Sequence, residues 1–240
     1  MAPKSDQTAA DLSRLHAIVP VRGLANGKGR LGEALDAEER EALVVGLLGR
    51  TIGALLELDA CRQVHVVSGD RLLLRLADEA GARAVAERAP GATADGLNDG
   101  LRLGRADALA AGATAILCLP ADLPFVSGPA LRRFLDAADA ALAAGSARPI
   151  VVAAPAEARG GTNALLLSPP AIIEPAFGEA SLEAHVRAAA AAGATVQLVT
   201  DHELGFDLDT PDDLERLDSR LLLQLLERGG RAIDDILATT

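Results

Sequence analysis

The chain has 240 residues, half of them apolar, and a formal net charge of −11. This length suits one α/β domain whose core needs no disulfide or metal ion for stability. The acidic balance, together with four Phe and no Trp or Tyr, argues against nucleic acid as a partner, since it leaves neither a basic face nor an aromatic stacking platform. No stretch reads as a signal peptide or a membrane span, so we expect a cytoplasmic protein with no membrane contact. Cys61 and Cys118 are expected to be packed free thiols.

Apolar segments alternate with helical patterns along the chain. Residues 1–12 are polar, and we expect them to form a mobile tail before a single domain at 13–240. Short strands that are apolar at every position, separated by amphipathic helices, predict a mostly parallel sheet covered on both faces. The predicted strands are 17–21, 64–69, 83–86, 115–119, 150–154, 163–167, 196–199 and 205–209. The predicted helices are 37–58, 72–80, 97–111, 129–144, 182–192 and 211–226, the last with a leucine stripe expected to pack on the core, Leu221, Leu222, Leu225 and Leu226.

The loop after the first strand combines glycine with positive charge. Its glycines and cations are Arg22, Gly23, Gly27, Lys28, Gly29 and Arg30. Glycine lets backbone N–H groups approach phosphate oxygens, and the cations neutralise charge that an acidic chain would otherwise repel. Lys28 is one of two lysines against 21 arginines, which favours a role for a compact point charge. The loop therefore predicts a polyphosphate site, with an ordinary solvated loop as the alternative.

Three aspartates are candidates for holding a divalent cation. Asp122 follows the fourth predicted strand between two prolines, although it could instead cap the next helix. Asp207 and Asp209 alternate with apolar residues, which puts both carboxylates on one side of an extended segment. Two like charges held that close favour a shared cation. A role in starting the helix after Thr210 would explain Asp209 but not Asp207.

Two further segments could hold an anion. The glycine turn from Arg159 to Asn163 offers free N–H groups and the Thr162 hydroxyl to a carboxylate or phosphate, or forms only a tight turn before a strand. Ser181 precedes a helix, where it could be a helix cap, an anion ligand or both, and His185 lies on the same helix face. The sequence has no nucleophile elbow, CxxC pair or HExxH motif, which gives hydrolase and zinc-enzyme hypotheses little support.

These features fit one reaction class. A phosphorylated substrate that attacks a nucleoside triphosphate is already an anion at neutral pH, because its second phosphate pKa is about 6. It needs no general base, so positioning and charge neutralisation do most of the catalysis. A basic loop and metal-binding carboxylates supply both.

Six motifs together resemble one enzyme family. From about Ala17 to Leu217, the chain is similar in order and spacing to the guanylyltransferases of coenzyme F(420) biosynthesis, which act on 2-phospho-L-lactate, phosphoenolpyruvate or 3-phosphoglycerate. The motifs are PVRGLANGKGRL, GLNDGL, PADLPF, GGTNALLL, FGEASLEAH and DLDTPDDL. The resemblance implies a three-layer, Rossmann-like nucleotidyltransferase fold. It also implies GTP as the donor and a guanosine diphospho-linked three-carbon acid as the product, with release of pyrophosphate.

The resemblance implies a role for each matching residue. The nucleotide-binding residues would be Arg22, Gly23, Lys28, Arg30 and Asn98, of which Lys28 and Arg30 hold the GTP phosphates as the catalytic cations. The ligands of Mg²⁺ would be Asp122, Asp207 and Asp209. The carboxylate and phosphate of the small acid would be held by Thr162, Gly178 and Ser181. Many members have Ser or Thr where this chain has Gly29, so any hydroxyl contact there is lost.

Phosphoenolpyruvate is the first choice of acid, with 2-phospho-L-lactate and 3-phosphoglycerate next. A hand-over of the product to the next enzyme of the pathway is a further expectation. Among enzymes, the alternative is another nucleotidyltransferase of the same fold, such as a molybdenum-cofactor guanylyltransferase. From a different class, the alternative is an inert nucleotide-binding regulator.

Overall fold

The structure, a computed structural model, describes residues 9–24, 28–87, 96–143, 148–158 and 160–239. The predictions that fall on residues 1–8, Gly27, Ala144 and Arg159 lie outside this part. The strands are β1 Leu15–Pro20, β2 Cys61–Ser68, β3 Arg83–Ala86, β4 Ala115–Cys118, β5 Ile150–Pro155, β6 Thr162–Ser168 and β7 Thr195–Leu198. The helices are α1 Ala37–Leu56, α2 Arg71–Glu79, α3 Gly96–Ala110, α4 Gly128–Ala143, α5 Ser181–Ala191, α6 His202–Gly205, α7 Pro211–Arg216 and α8 Ser219–Ala238.

The seven strands form one sheet in the order β3-β2-β1-β4-β6-β5-β7. Alternate residues of β1 face opposite layers: Ala17 and Val19 pack with α1, α2 and α4, whereas Ile18 packs with α3 and α5. Both faces are therefore buried, which explains why the central strands are mostly apolar and do not alternate between polar and apolar residues. The predicted three-layer α/β architecture with a mostly parallel sheet is confirmed.

One strand runs against the others. β6 pairs antiparallel with both β4 and β5, while the remaining neighbours in the sheet are parallel. Cys118, the last residue of β4, lies opposite Leu165 in the middle of β6, so the first residues of β6 extend past the end of β4. The reversal places the beginning of β6 at the same sheet edge where β1 and β4 end. Ligands of open α/β sheets bind at this carboxyl edge.

The predicted strand 205–209 is wrong. The chain forms the short helix α6 up to Gly205 and then continues as an extended segment that joins no sheet. The alternation on which the prediction rested is real, since Phe206 and Leu208 are buried and Asp207 is only partly so. The Leu208 N–H donates to the Asp122 carbonyl, 3.1 Å away, instead of to a neighbouring strand.

The predicted single helix 211–226 is also wrong, because two helices occupy this region. α7 ends at Arg216, where Leu217 takes an extended conformation with ψ of 137°. Asp218 then caps α8, its carboxylate accepting from the Arg220 N–H at 2.8 Å. Within α8 the predicted leucine stripe does pack on the core: Leu225 is 2% exposed and the other three leucines lie against the same cluster.

Asp11 lies before β1 and is anchored to β6, since its N–H donates to the Ser168 hydroxyl at 2.8 Å. This contact falls within the segment predicted to be a mobile tail, and the division into a tail and one domain stays a prediction. Cys61 and Cys118 are free thiols, as predicted, and burial raises the pKa of Cys118 to about 12. No helix in the described part of the chain has the length and apolar character needed to cross a membrane.

The crossing of α1 and α8 gives the first prediction. A Cβ added at Gly229 would lie 1.8 Å from the Ala42 carbonyl oxygen, whereas one at the adjacent Gly230 would meet nothing within 4 Å. We expect Gly229→Ala to lower the free energy of unfolding by about 3 kcal/mol, because two backbones must separate. Gly230→Ala is the matched control and should be neutral or up to about 1 kcal/mol more stable. Urea unfolding measures both, and equal midpoints would contradict the close crossing.

Candidate active site

A cavity of about 320 Å³ lies at the carboxyl edge of the sheet, between the loop after β1 and the loop after β4. Its charged lining residues are Arg22, Lys28, Arg30, Asp122 and Asp209. The structure thus brings the predicted basic loop together with two of the three predicted acids. A larger cavity of about 480 Å³, between α1 and α8, contains none of the predicted site residues.

The basic loop is fixed at its start by two backbone contacts. The Val21 N–H donates to the Val67 carbonyl at 2.9 Å, and the Leu24 N–H donates to the Asp70 carboxylate at 3.0 Å. Asp70 also caps α2 by accepting from the Leu72 N–H at 2.9 Å. One side chain therefore holds both the loop and a neighbouring helix. The sequence signal for this role is an aspartate two residues before the predicted helix 72–80, which in the structure begins at Arg71.

Lys28 marks the other end of the described loop. It has a left-handed backbone, φ 52°, and is followed by a single 3-10 turn, Gly29–Leu31. Leu31 is fully buried and anchors that turn in the core. The conformation directs the Lys28 ammonium into the cavity, 3.0 Å from Asp209 Oδ1 and 3.7 Å from Asp122 Oδ2.

The three aspartates influence one another electrostatically. Burial raises the pKa of Asp122; Asp209 adds to this rise and Lys28 opposes it. Burial also raises the pKa of Asp207, and the charges of Asp122 and Asp209 raise it further. The Lys28 ammonium thus lies close to Asp122 and Asp209, and the charges of both acids act on Asp207. A cation shared by Asp207 and Asp209 stays a prediction.

The helix starts that follow these acids do not use their carboxylates. Asp122 does not cap the next helix, because Ser127 Oγ accepts from the Ala130 N–H at the start of α4. Thr210 caps α7 in a reciprocal pair with Asp213, and Asp209 takes part only through its backbone N–H, which donates to the Asp213 carboxylate at 3.0 Å. Both carboxylates are therefore left facing the cavity.

The acids suit a cation that the ligand helps to bind. Among the described residues, no group of three or more His, Cys, Asp or Glu side chains is arranged to hold a metal ion unaided. Mg²⁺, however, commonly uses one or two carboxylates together with substrate phosphates and water. Burial is the main cause of the raised pKa values of Asp122 and Asp207, and the neighbouring acids add to it, so a bound cation would stabilise the ionised carboxylates. This donor set fits Mg²⁺ shared with a polyphosphate.

A second group of polar residues lies where β6 begins. Thr162 is the first residue of β6 and Ser181 the first of α5, and both are almost fully buried. The Ser181 hydroxyl donates to Thr162 Oγ1 at 3.3 Å, and His185 Nδ1 lies 3.0 Å from the same oxygen. Ser181 is not a helix cap, because the residue before α5 is Ala180 and no side chain caps it.

Gly178 belongs to the turn that leads into α5. Its φ of 140° is open to glycine and strained for other residues, and its carbonyl accepts from the Ser181 N–H at 3.2 Å. The Leu182 N–H donates to the Gly160 carbonyl at 3.1 Å, which ties the start of α5 to the glycine turn before β6. The structure therefore brings together the three residues predicted to bind the acid, Thr162, Gly178 and Ser181.

Asn98 has a different setting from the other nucleotide candidates. It is buried, its amide Nδ2 donates to the Phe177 carbonyl at 3.0 Å, and its Oδ1 accepts from the Phe177 N–H at 2.8 Å. These contacts fix the turn that carries Gly178. A nucleoside contact for Asn98 stays a prediction.

Sequence reasoning missed Asn163, next to Thr162. Its Nδ2 donates to the Gly205 carbonyl at 2.8 Å, and its side chain acts to lower the pKa of Asp207, against the larger effect of burial. Asn163 thus links β6 to the extended segment that carries Asp207. No local pattern marks this role, since its partners lie about 40 residues further along the chain.

A loop with Lys28 and Arg30, the carboxylates of Asp122 and Asp209 beside it, and a mixed sheet are the arrangement expected of a nucleotidyltransferase. Two solved structures share the fold at 16% and 19% sequence identity, and similarity at this level shows the fold alone. A nucleotide-diphospho-sugar transferase from Desulfovibrio desulfuricans has a TM-score of 0.67, covering 93% of this chain and 98% of that one. A nucleotidyl transferase from Methanothermobacter has a TM-score of 0.60, covering 88% and 98%.

The chain belongs to the family of CofC-like guanylyl transferases, whose model matches residues 15–218. A phosphoenolpyruvate guanylyltransferase from Rubrobacter xylanophilus is 40% identical, over 85% of this chain and 93% of that protein. One from Sphaerobacter thermophilus is 42% identical, over 84% and 91%. A 3-phospho-D-glycerate guanylyltransferase from Phenylobacterium zucineum is 38% identical, over 82% and 86%. The protein is therefore an enzyme of the guanylyltransferase class.

Gly29 in the basic loop gives the second prediction. A Cβ there would meet nothing within 4 Å and the backbone is not left-handed, so Gly29→Ser should fold normally. A serine hydroxyl that donates to a phosphate oxygen would add roughly 0.5–1.5 kcal/mol, which lowers the KM for GTP about 2- to 10-fold. Steady-state kinetics measure this. Gly32→Ser, whose Cβ would lie 3.3 Å from the Gly29 carbonyl, is the control that should give no gain, and a higher KM for Gly29→Ser would contradict the prediction.

Proposed function

We propose that this enzyme transfers GMP from GTP to the phosphate of phosphoenolpyruvate and releases pyrophosphate, as a step of coenzyme F(420) biosynthesis. The observation that carries the proposal is the meeting of the Lys28 ammonium with the Asp122 and Asp209 carboxylates in one cavity. That arrangement suits a triphosphate and its cation. The choice of acid is supported by the names of the two relatives at 40% and 42% identity.

In the proposed reaction, an oxygen of the acid's phosphate attacks the α-phosphorus of GTP. A P–O bond forms there, and the bond from the α-phosphorus to the oxygen that bridges to the β-phosphate breaks. Pyrophosphate leaves with that electron pair, so no proton has to be removed from the attacking anion. Lys28 and Arg30, with Arg22 and backbone N–H groups near Gly23, neutralise the triphosphate and hold it in line.

Asp122, Asp207 and Asp209 would hold Mg²⁺. When bound, the ion supplies positive charge to the phosphate oxygens and to the departing pyrophosphate. Lys28 pairs with Asp209 and Asp122. A triphosphate would compete for the same ammonium, and the cation that accompanies it would then neutralise the two carboxylates.

The acid would be held at the start of β6. Thr162 and Ser181 offer hydroxyl groups, and Gly178 lies in the turn directly before α5. The second candidate acid is 3-phosphoglycerate, which is favoured by the relative named for it at 38% identity. The cytoplasmic location, the absence of nucleic-acid and membrane partners, and a hand-over of the product to the next enzyme stay predictions.

The test is pyrophosphate release with GTP and Mg²⁺ in the presence of phosphoenolpyruvate, 2-phospho-L-lactate or 3-phosphoglycerate. ATP and CTP serve as nucleotide controls. We expect release with GTP and phosphoenolpyruvate, at a kcat/KM at least about 100-fold above that of the other nucleotides, since a base-reading site rejects analogues that leave its polar groups unpaired. If pyrophosphate is released with only one of the other two acids, that acid is the acceptor in place of phosphoenolpyruvate. Silence with all three acids, in protein that binds GTP, would overturn the proposal.

Asp207→Asn tests the metal assignment. We expect kcat to fall about 100-fold or more, because an amide neither neutralises nor orients the cation. Stability should not fall: burial and two neighbouring acids raise the pKa of Asp207, so ionising it destabilises the fold as pH rises through that pKa. In metal-free buffer at neutral pH, the variant should therefore unfold at an equal or higher urea concentration than the wild type.

Asp212→Asn is the matched control for that variant. Asp212 is an exposed carboxylate in the first turn of α7, five residues further along the chain. Its loss should leave both kcat and the Mg²⁺ dependence within about twofold of the wild type, since exposed charges contribute little. Equal activities for the Asp207 and Asp212 variants would remove Asp207 from the metal site.

A further inference from the structure

The hydrogen bonds of His185 fix which ring nitrogen carries its proton. The backbone N–H of Ala176 donates to Nε2 at 2.9 Å. A backbone amide can only donate, so Nε2 holds a lone pair and the proton of the neutral ring is on Nδ1. Burial lowers the pKa of His185 to about 4, so the ring is neutral in neutral buffer.

This tautomer determines what Thr162 can do. Nδ1–H of His185 donates to Thr162 Oγ1 over 3.0 Å, and the Ser181 hydroxyl donates to the same oxygen over 3.3 Å. A hydroxyl has two lone pairs and one proton. Both acceptor positions of Thr162 are therefore filled, and its proton has no acceptor among the described residues. If instead the Thr162 hydroxyl donates to Ser181, the proton without an acceptor is that of Ser181. In either arrangement the pair of hydroxyls has one proton left to donate.

The ring of His185 is held from several sides. Phe177 makes an edge contact with it, with centroids 5.5 Å apart and planes at 65°. The backbone of Phe177 is in turn fixed by two hydrogen bonds to the Asn98 side chain. His185 is 1% exposed, so the imidazole neither rotates freely nor exchanges its partners with water.

We propose that His185 is a positioning residue that commits the hydroxyl pair of Thr162 and Ser181 to donating a hydrogen bond to the acid substrate. Because the unused proton can only be donated, the pair favours an accepting group, such as a carboxylate or phosphate oxygen, over a group that can only donate. The inference rests on the proposed function, because it assumes that the acid binds at the start of β6. It adds a residue that does not contact the substrate.

Two amide variants separate positioning from packing. In His185→Asn the amide nitrogen can take the place of Nδ1 and still donate to Thr162. In His185→Gln the amide oxygen can take the place of Nε2 and accept from Ala176, but no donor faces Thr162. Both variants lose the ring, but only His185→Asn leaves the Ala176 N–H without its acceptor. A purely structural role therefore predicts the larger loss for His185→Asn, the opposite of the order that positioning predicts.

We expect His185→Gln to raise the KM for phosphoenolpyruvate at least tenfold while the KM for GTP and kcat change less than twofold. The KM of His185→Asn for the acid should stay within about threefold of the wild-type value. Thermal unfolding of both variants checks that they fold. Equal effects of Asn and Gln on the acid, or an equal rise in the KM for GTP, would overturn the proposal.

A double-mutant cycle gives an independent reading. Thr162→Val keeps the shape of the side chain and removes the hydroxyl. If His185 acts through Thr162, adding His185→Gln to Thr162→Val should cost no further affinity for the acid, whereas independent roles would add. Calorimetric titration of each protein with phosphoenolpyruvate measures this without turnover. A wild type that binds the acid but releases no pyrophosphate refutes the proposed reaction only, and additive losses refute the role of His185 only.

Discussion

The arrangement of the site depends on one ionic contact, in which the Lys28 ammonium lies between the carboxylates of Asp209 and Asp122. Lys28 and Asp209 are 181 residues apart in sequence, so the contact joins the loop after the first strand to a segment in the last part of the chain. The carboxylates repel one another at this range, and the lysine offsets part of that repulsion. The backbone bond from Leu208 to Asp122 holds the two acidic segments in register whatever their charge. Charge attraction thus selects the contact, and backbone pairing makes it rigid.

Much of the fold follows from local patterns. The spacing of apolar residues predicts α1, and in the structure Asp36 caps this helix in a capping box with Glu39. The extended segment 206–209 shows the limit of such patterns, because alternation reports burial on one side but not whether a neighbouring strand exists. The break between α7 and α8 was readable, since Asp218 and Ser219 form an ordinary helix start. The direction of β6 was not, because it depends on pairing with strands distant in sequence.

The chemistry of the site was easier to predict than its connections. Glycine with cations, and acids after buried strands, indicate function through residue type alone, and the structure brings these groups to one cavity. The contacts that orient them were not predictable. Asn163, Asn98 and His185 each bond to partners 9 to 79 residues away. Contacts of this kind produce no repeating pattern in the sequence, because each one is a single hydrogen bond whose partner is determined by the tertiary fold.

The antiparallel direction of β6 has an evolutionary consequence. Because this strand starts at the carboxyl edge, the hydroxyls assigned to the acid and the histidine behind them all come from one continuous stretch, from Gly160 to His185. The groups assigned to the triphosphate and its cation lie outside that stretch. Mutations within it can therefore change acceptor preference while the nucleotide machinery stays intact. Relatives named for different acids, at 40% and 38% identity to this chain, are what such a division of labour would produce.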